Sequence, residues 1–282
     1  MQTVAIFGVG LIGGSFGLAI KKAGFQGEVL GVSSERTIAE ALAAGVIDRG
    51  VTMQDACAAA DLIYLAQPIS GILQLIPALN ELVREDALIT DAGSTKFAIV
   101  EQAAKTLPRG QFLGGHPMAG KETRGAAAAD AELFRNRTYV LTPSSPEQLQ
   151  TEAAQSFAGW LRRIGTNIVI MDAATHDRTV AFTSHLPQLA STALAETVDG
   201  KGDPRVAGSG LLDTTRLALS AYDIWKDIIA TNSDNIGAAL DCYIEQLTQV
   251  RNRLATPELA SDFEKASRFR GALATPPKSP LT

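Results

Sequence analysis

The chain has 282 residues, 46% of them hydrophobic and 20% charged, with a formal net charge of -5. That length allows one large α/β unit or two domains, in the ordinary globular range. The acidic balance argues against a nucleic-acid partner, which would want clustered Lys and Arg. Cys57 and Cys242 form no CxxC, and His116, His176 and His185 show no metal-ligand spacing with them. A reduced cytoplasmic setting fits this usage; a disulfide scaffold or a zinc site does not. Met1-Gln2-Thr3 leads into the first strand with no signal peptide, and no apolar run reaches membrane-spanning length.

Residues 3–7 form a short apolar run with β-branched side chains, the pattern of a buried parallel strand. It runs into Gly8-Val9-Gly10-Leu11-Ile12-Gly13, a GxGxxG followed by helical periodicity to Gly24. Strand, glycine turn and helix together are the context of a dinucleotide fingerprint. The first glycine turns the chain, the second admits the pyrophosphate, and the third lets helix and strand pack closely. Gly8, Gly10, Leu11, Ile12 and Gly13 are therefore expected to hold a nicotinamide dinucleotide against the N–H groups of the helix start. A second strand over 28–32 ends at Ser33-Ser34-Glu35-Arg36. An acidic residue at that strand end would bind the ribose diol of NAD. Here Ser33, Ser34 and Arg36 offer hydroxyls and a guanidinium suited to a 2′-phosphate, so the reading leans to NADP over NAD. Glu35 is the one side chain pulling the other way.

The alternation continues with a helix over 37–44, a strand ending at 66, the turn Gln67-Pro68, an amphipathic helix over 72–82 and a strand over 87–91. Ala92-Gly93-Ser94-Thr95-Lys96 then turns into a helix over 97–104, and a short strand over 111–113 leads into Gly114-Gly115-His116-Pro117-Met118-Ala119-Gly120. The glycines and proline predict a tight turn that fixes the direction of the imidazole. Histidine is the side chain best suited to move a proton near neutral pH. Further strands are expected over 138–141 and 167–171, with a helix over 156–164 between them. The pattern predicts a doubly wound parallel or mixed sheet. Ligands bind such sheets beyond the carboxyl ends of the strands, so Gln67, Pro68, Ser94 and His116 should share a rim with the cofactor. Ser94 could support His116 or the substrate hydroxyl, or merely cap the helix that follows. Lys96 reads as first-turn structure or a substrate neighbour.

Beyond residue 172 strand patterns give way to long helical periods. A long helix is expected over 173–196, kinked at Pro187, then helices over 211–222, 224–231 and 236–254. The division predicted is a Rossmann-type dinucleotide-binding domain over 1–172, an all-α dimerisation domain over 173–270 and a disordered tail over 271–282. His176 and His185 lie nine residues apart, about 180° around an α-helix. They share a face only if Pro187 reorients the chain, and one of them can be an ordinary hydrogen-bonded histidine. Arg216 stands among Leu211, Leu212, Leu217 and Leu219. A buried guanidinium needs an anion, either Asp213 on its own helix or a substrate carboxylate.

Gly8-x-Gly10-Leu11-Ile12-Gly13-Gly14-Ser15, Asp91-x-Gly93-Ser94-x-Lys96, Gly115-His116-Pro117-Met118-Ala119-Gly120, Ser184-His185-Leu186-Pro187 and Asp213-x-x-Arg216 occur in this order. The order resembles the prephenate and arogenate dehydrogenases of tyrosine biosynthesis, over about residues 3 to 255. The resemblance implies an NAD(P)-dependent oxidative decarboxylation by a homodimer. His116 would draw off the carbinol proton with Ser94 in support, and Arg216 would bind a substrate carboxylate. His185 and Trp225 would line the pocket, unless they are core residues. Lys121 and Glu122 stand beside the histidine motif, and an acidic group there would favour the ammonium of arogenate over the ketone of prephenate. Gly210-Leu211-Leu212-Asp213 departs from the family's usual Gly-Phe-Arg-Asp, which removes one cation, and Gln188 stands where some members carry a second histidine. A β-hydroxyacid dehydrogenase or imine reductase shares the layout, but residues 173–196 hold no lysine for the former. A non-catalytic NAD(P)-sensing protein is the remaining alternative.

Overall fold

The computed structural model describes residues 1–108, 111–121 and 123–273. One eight-stranded sheet contains β1 Thr3–Phe7, β2 Glu28–Val32, β3 Arg49–Gly50, β4 Leu62–Leu65, β5 Leu88–Asp91, β6 Phe112–Pro117, β7 Thr138–Thr142 and β8 Asn167–Ile170. The spatial order is β3-β2-β1-β4-β5-β6-β7-β8. Strands β1 to β6 pair in parallel, and β7 turns antiparallel to β6 before β8 pairs parallel to it, so the sheet is mixed. The first six strands have the order of a dinucleotide-binding sheet. The helices are α1 Leu11–Lys22, α2 Glu35–Ala43, α3 Met53–Ala59, α4 Ile69–Leu79, α5 Phe97–Thr106 and α6 Glu152–Ile164 in the first half. In the second half come α7 Ala173–Val180, α8 Leu186–Val198, α9 Ser209–Thr215, α10 Tyr222–Asn252 and α11 Leu259–Leu273.

Side-chain alternation along β1 explains why helices cover both faces. Val4 and Ile6 join a core with Phe16 of α1, Tyr64, Tyr139 and Phe157 of α6. Ala5 and Phe7 join the opposite core with Ile72 and Ile76 of α4 and Ile99 of α5. A strand buried on both faces needs apolar residues at successive positions, which is what residues 3–7 supply. Phe16 stacks on Tyr64 at 4.0 Å between ring centroids, joining α1 to the centre of the sheet.

Several local expectations are corrected. Gly114, Gly115 and His116 do not turn. They belong to β6, with His116 paired opposite Val140. Their glycines serve close approach: a Cβ on Gly114 would stand 2.2 Å from Thr142 Oγ1, and one on Gly115 would stand 2.7 Å from the Asp91 carbonyl oxygen. The helix expected over 173–196 is interrupted by a π-helical segment, Ala181–His185, immediately before Pro187. The single helix expected over 211–222 is α9 followed by a 3-10 turn, Arg216–Leu219, and Tyr222 instead opens the next helix. That helix, α10, joins the two helices expected over 224–231 and 236–254 across a break at Asn232 (φ -136°, ψ 22°). Its apolar stripe is buried only in part: Ile236 and Ala239 lie in a small core with Ala181, whereas Tyr243, Ile244 and Leu247 are exposed. Helix α11 carries the ordered chain to Leu273, past the expected start of the tail, and residues 274–282 lie outside the described residues. No helix among the described residues is long and apolar enough to cross a membrane.

The close contact behind His116 is open to a direct check. Gly115→Ala forces a methyl into backbone and the Tyr139 ring, so stability should fall by about 1–3 kcal/mol, the usual cost of overpacking. Chemical denaturation of the variant against the parent measures this.

Candidate active site

The glycine loop has the shape a dinucleotide requires. Gly8 adopts φ +90°, and a Cβ there would lie 2.8 Å from the Ala66 carbonyl oxygen. A Cβ on Gly13 would approach the Gly8 carbonyl oxygen to 2.2 Å, so only glycine lets α1 start so close to β1. Around Gly10 nothing lies within 4 Å of such an atom, which leaves open space at the N-terminus of α1. No side chain caps that terminus. Its first-turn N–H groups are thus available to an anion. At the end of β2, Ser34 caps α2, its Oγ accepting from Thr37 N at 3.4 Å, and Arg36 Nε donates to Glu40 at 3.0 Å. Ser33, Ser34, Glu35 and Arg36 are all exposed.

Beside the loop, a cleft of about 410 Å³ lies between the sheet rim and α10. Leu11, Ile12, Gln67, Pro68, Ser94 and Lys121 from the expected set line it, together with Asp223, Ile224, Asp227 and Ile228 of α10; His116, His185 and Trp225 are not among its lining residues. Ser94 is half-buried and is not the cap of α5. Among the described residues its hydroxyl has no partner, so it is available to a ligand. Lys121 Nζ donates to Asp130 Oδ2 at 2.7 Å. Glu122 itself lies outside the described residues. Arg216 is not where its leucine neighbours suggested. It is exposed, on the 3-10 turn, and does not line this cleft. Two of the leucines beside it face solvent, Leu212 at 65% and Leu219 at 85% exposed, while Leu211 and Leu217 are half-buried.

Behind the rim the polar groups form a continuous buried network. Asp91 Oδ2 accepts from Gly93 N at 2.8 Å and Oδ1 from Gly115 N at 3.1 Å, and the carboxylate pairs with the fully buried Lys96 ammonium. His116 Nδ1 lies 2.8 Å from His176 Nε2. His176 Nδ1 lies 2.7 Å from Asp177 Oδ1. The same carboxylate accepts from the backbone N–H groups of Lys96 at 2.7 Å and Phe97 at 2.9 Å, and so caps α5 from α7. Asp227 of α10 does the same for α4, accepting from Ser70 N at 2.9 Å and Ser70 Oγ at 2.7 Å. Carboxylates at helix N-termini gain from the free N–H groups and from the helix dipole. His185, in the π segment, packs edge-on against Trp225 at 5.8 Å, and its Nδ1 faces Asn232 Nδ2 at 3.2 Å. The wider π turn lets His176 and His185 both point inward, against the α-helical phase reckoned from their spacing.

Burial, followed by His176, Lys96 and His185, holds the His116 pKa well below its ordinary value. Burial likewise lowers that of His185 to about 4, against the opposing pull of Asp177. Both rings are therefore neutral bases or donors at neutral pH, and the site can accept a proton from an oxygen placed at its rim. His176, Asp177, Asp227 and Asn232 were not singled out as site residues from sequence. The adjacent pair His176-Asp177 was the available signal, but its partner His116 is 60 residues away in the chain.

This fold and this site define a dinucleotide-dependent oxidoreductase. Residues 16–170 match the family description "Prephenate dehydrogenase, nucleotide-binding domain", and residues 172–266 match "Prephenate dehydrogenase, dimerization domain". The chain belongs to the prephenate dehydrogenase family. It is 33% identical to the prephenate dehydrogenase of Bacillus subtilis (strain 168) over 96% of this chain and 76% of that one. It is 30% identical to the cyclohexadienyl dehydrogenase of Zymomonas mobilis over 96% of each. Among solved structures it resembles the prephenate dehydrogenase of A. aeolicus in complex with hydroxyphenyl propionate and NAD+, with TM-score 0.87 and 28% identity over 97% of this chain and 98% of that one. A Synechocystis arogenate dehydrogenase superposes with TM-score 0.83 at 29% identity, over 96% and 99%. A Mycobacterium tuberculosis 3-hydroxyisobutyrate dehydrogenase, at TM-score 0.53 and 15% identity over 93% and 91%, shares the fold alone.

The neutral histidines also couple folding to pH. The unfolded chain binds protons at its histidines below about pH 6.5, whereas folded His116 and His185 refuse them until lower pH. Stability is thus fully present above about 6.5 and falls as pH drops, by up to about 1.4 kcal/mol per pH unit for each ring, until the folded pKa is reached. Urea denaturation at pH 7 and pH 5 should show this loss. Replacing His185 with Gln should reduce it.

Proposed function

We propose that this protein catalyses the NAD(P)-dependent oxidative decarboxylation of prephenate, arogenate or both, with His116 as proton acceptor. The observation that carries the reading is the buried neutral His116 on β6, held in a polar network with His176 and Asp177, in a chain whose Leu11, Ile12 and Ser94 line one cleft with α10. Leu11, Ile12 and Gly13 would hold the pyrophosphate on the α1 terminus, and the oxidised nicotinamide, when bound, would supply the hydride acceptor for the ring carbinol carbon. His116 takes the carbinol proton, with Ser94 positioned to hold the same oxygen. The ring carboxylate then leaves as CO2, and its bonding electrons complete the aromatic ring and return negative charge to the oxygen. His116 gives the proton back, leaving a phenol. Aromatisation supplies the driving force, so the enzyme chiefly aligns the carbinol and manages one proton.

By the Asp213-x-x-Arg216 motif, Arg216, which does not line the α10 cleft, is assigned to a substrate carboxylate, and His185 and Trp225, packed edge-on against each other, to the pocket wall. Lys121 and Glu122, next after the histidine motif in the chain, are assigned to the choice between the keto and amino forms. The exposed apolar stretch of Leu219, Tyr222, Tyr243, Ile244 and Leu247, in the half that matches a dimerization domain, supports a homodimer. NADP is the proposed cofactor, because Ser33 occupies the strand-end position where an acidic residue would favour NAD.

Turnover with prephenate and with arogenate, followed as reduced nicotinamide, tests the reaction; no reduction with either substrate overturns it. His116→Asn should lower kcat by about 100-fold or more with cofactor affinity unchanged, whereas Arg216→Ala should act mainly on the KM for substrate. Arg36→Ala should lower kcat/KM for NADP about tenfold relative to NAD, as for loss of one charge-assisted hydrogen bond. An equal effect on the two cofactors removes Arg36 from 2′-phosphate recognition.

A further inference from the structure

We propose that His176 and Asp177 are positioning residues that hold His116 with its proton on Nδ1, so that bare Nε2 is the atom offered to the substrate hydroxyl. This rests on His116 being the proton acceptor of the reaction above. The assignment follows from which atoms in the network can only donate and which can only accept. The Asp177 carboxylate accepts from two backbone N–H groups, Lys96 on Oδ1 and Phe97 on Oδ2. These bonds fix its orientation, and it has no proton to give. The ring nitrogen 2.7 Å from Oδ1, His176 Nδ1, is therefore the donor of that pair. A neutral imidazole protonated at Nδ1 has a lone pair at Nε2. His176 Nε2 then accepts from His116 Nδ1 across 2.8 Å. His116 in turn has its lone pair on Nε2.

His176 is fully buried, so both of its ring nitrogens find their partners inside this network. Burial also keeps His116 uncharged until it takes the substrate proton. The resulting imidazolium has its Nδ1–H already bonded, so the chain stabilises the protonated state without moving any group.

His185 is set in the opposite sense by a different device. Asn232 Nδ2 donates to the Asp177 backbone carbonyl at 2.9 Å, which can only accept, and Asn235 Nδ2 donates to Asn232 Oδ1 at 2.7 Å. The amide is thereby oriented with its NH2 toward His185 Nδ1, leaving His185 with its proton on Nε2. The break in α10 occurs at Asn232, the residue that makes these bonds. His116 is thus a fixed acceptor and His185 a fixed donor.

The chain contains three histidines, so multiple-bond proton–nitrogen NMR on 15N-histidine-labelled full-length protein resolves every tautomer. The expected spectrum has protonated Nδ1 on His116 and His176 and protonated Nε2 on His185. Protonated Nε2 on resting His116, or a doubly protonated His176, overturns the proposal. Two variants read the consequence for turnover. His176→Gln places an amide oxygen near the lost Nε2 and should keep kcat within about tenfold of the parent, while His176→Phe removes the acceptor and should lower kcat by about 100-fold or more. Cofactor affinity, unchanged in both, reports that the fold is intact. Equal kcat in the two variants overturns the positioning role. Parent-like kcat in His116→Asn together with the expected spectrum defeats instead the assignment of His116 as proton acceptor.

Discussion

Asp177 is a buried carboxylate that belongs to the helical half of the chain and bonds to the dinucleotide-binding half. It sits on α7, receives two backbone N–H groups from the start of α5, and receives a ring N–H from His176. A buried unpaired charge would be costly, and here two amide donors at a helix N-terminus compensate it. The same bonds dock α7 against the sheet rim and fix the imidazole that touches His116. Asp227 repeats the device on α10, capping α4 through Ser70. Both helices that follow central strands β4 and β5 are thus capped by carboxylates from the second half. The cleft between sheet and α10 is framed by these charge-assisted caps and by the loops that follow β1, β4, β5 and β6.

On the sheet side, the matching constraint is steric. Gly114 and Gly115 allow β6 to lie against Thr142 and the Asp91 carbonyl at distances no side chain could tolerate. His116 therefore projects from a strand paired on the β7 side and anchored by the Asp91 carboxylate, which also holds Lys96. A base on such a strand has little freedom to reorient. Catalysis that depends on aligning a carbinol with a nicotinamide benefits from that rigidity. Charge is managed in the same place: His116 and His185 stay neutral through burial, and the nearby ammonium is paired with its own carboxylate.

Much of this was legible in the residues. The apolar runs at β1, β2, β4 and β5, the glycine fingerprint and the punctuation by Gly and Pro place the dinucleotide half, because a doubly buried parallel strand has few compatible compositions. The candidate His116 and Ser94 also came from local pattern. The helical half was less legible. Periodicity in α10 identifies a stripe at Ile236, Ala239, Tyr243, Ile244 and Leu247, but it cannot say that the chain itself covers only the first part. The leucines around Arg216 suggested a buried guanidinium, but Arg216 is exposed, and Leu212 and Leu219 are exposed apolar surface in the half that matches a dimerization domain.

Local chemistry sufficed for the elements that short-range rules control: strand, glycine turn and helix start. The tertiary structure alone decided which polar groups meet. A π segment shifts the phase between His176 and His185, a helix break aims Asn232, and packing brings His176 against a histidine 60 residues earlier. Hydrogen-bond direction is set by the full ring of partners around each group. Those partners come from α5, α7, α10 and β6, so no window of sequence contains them together.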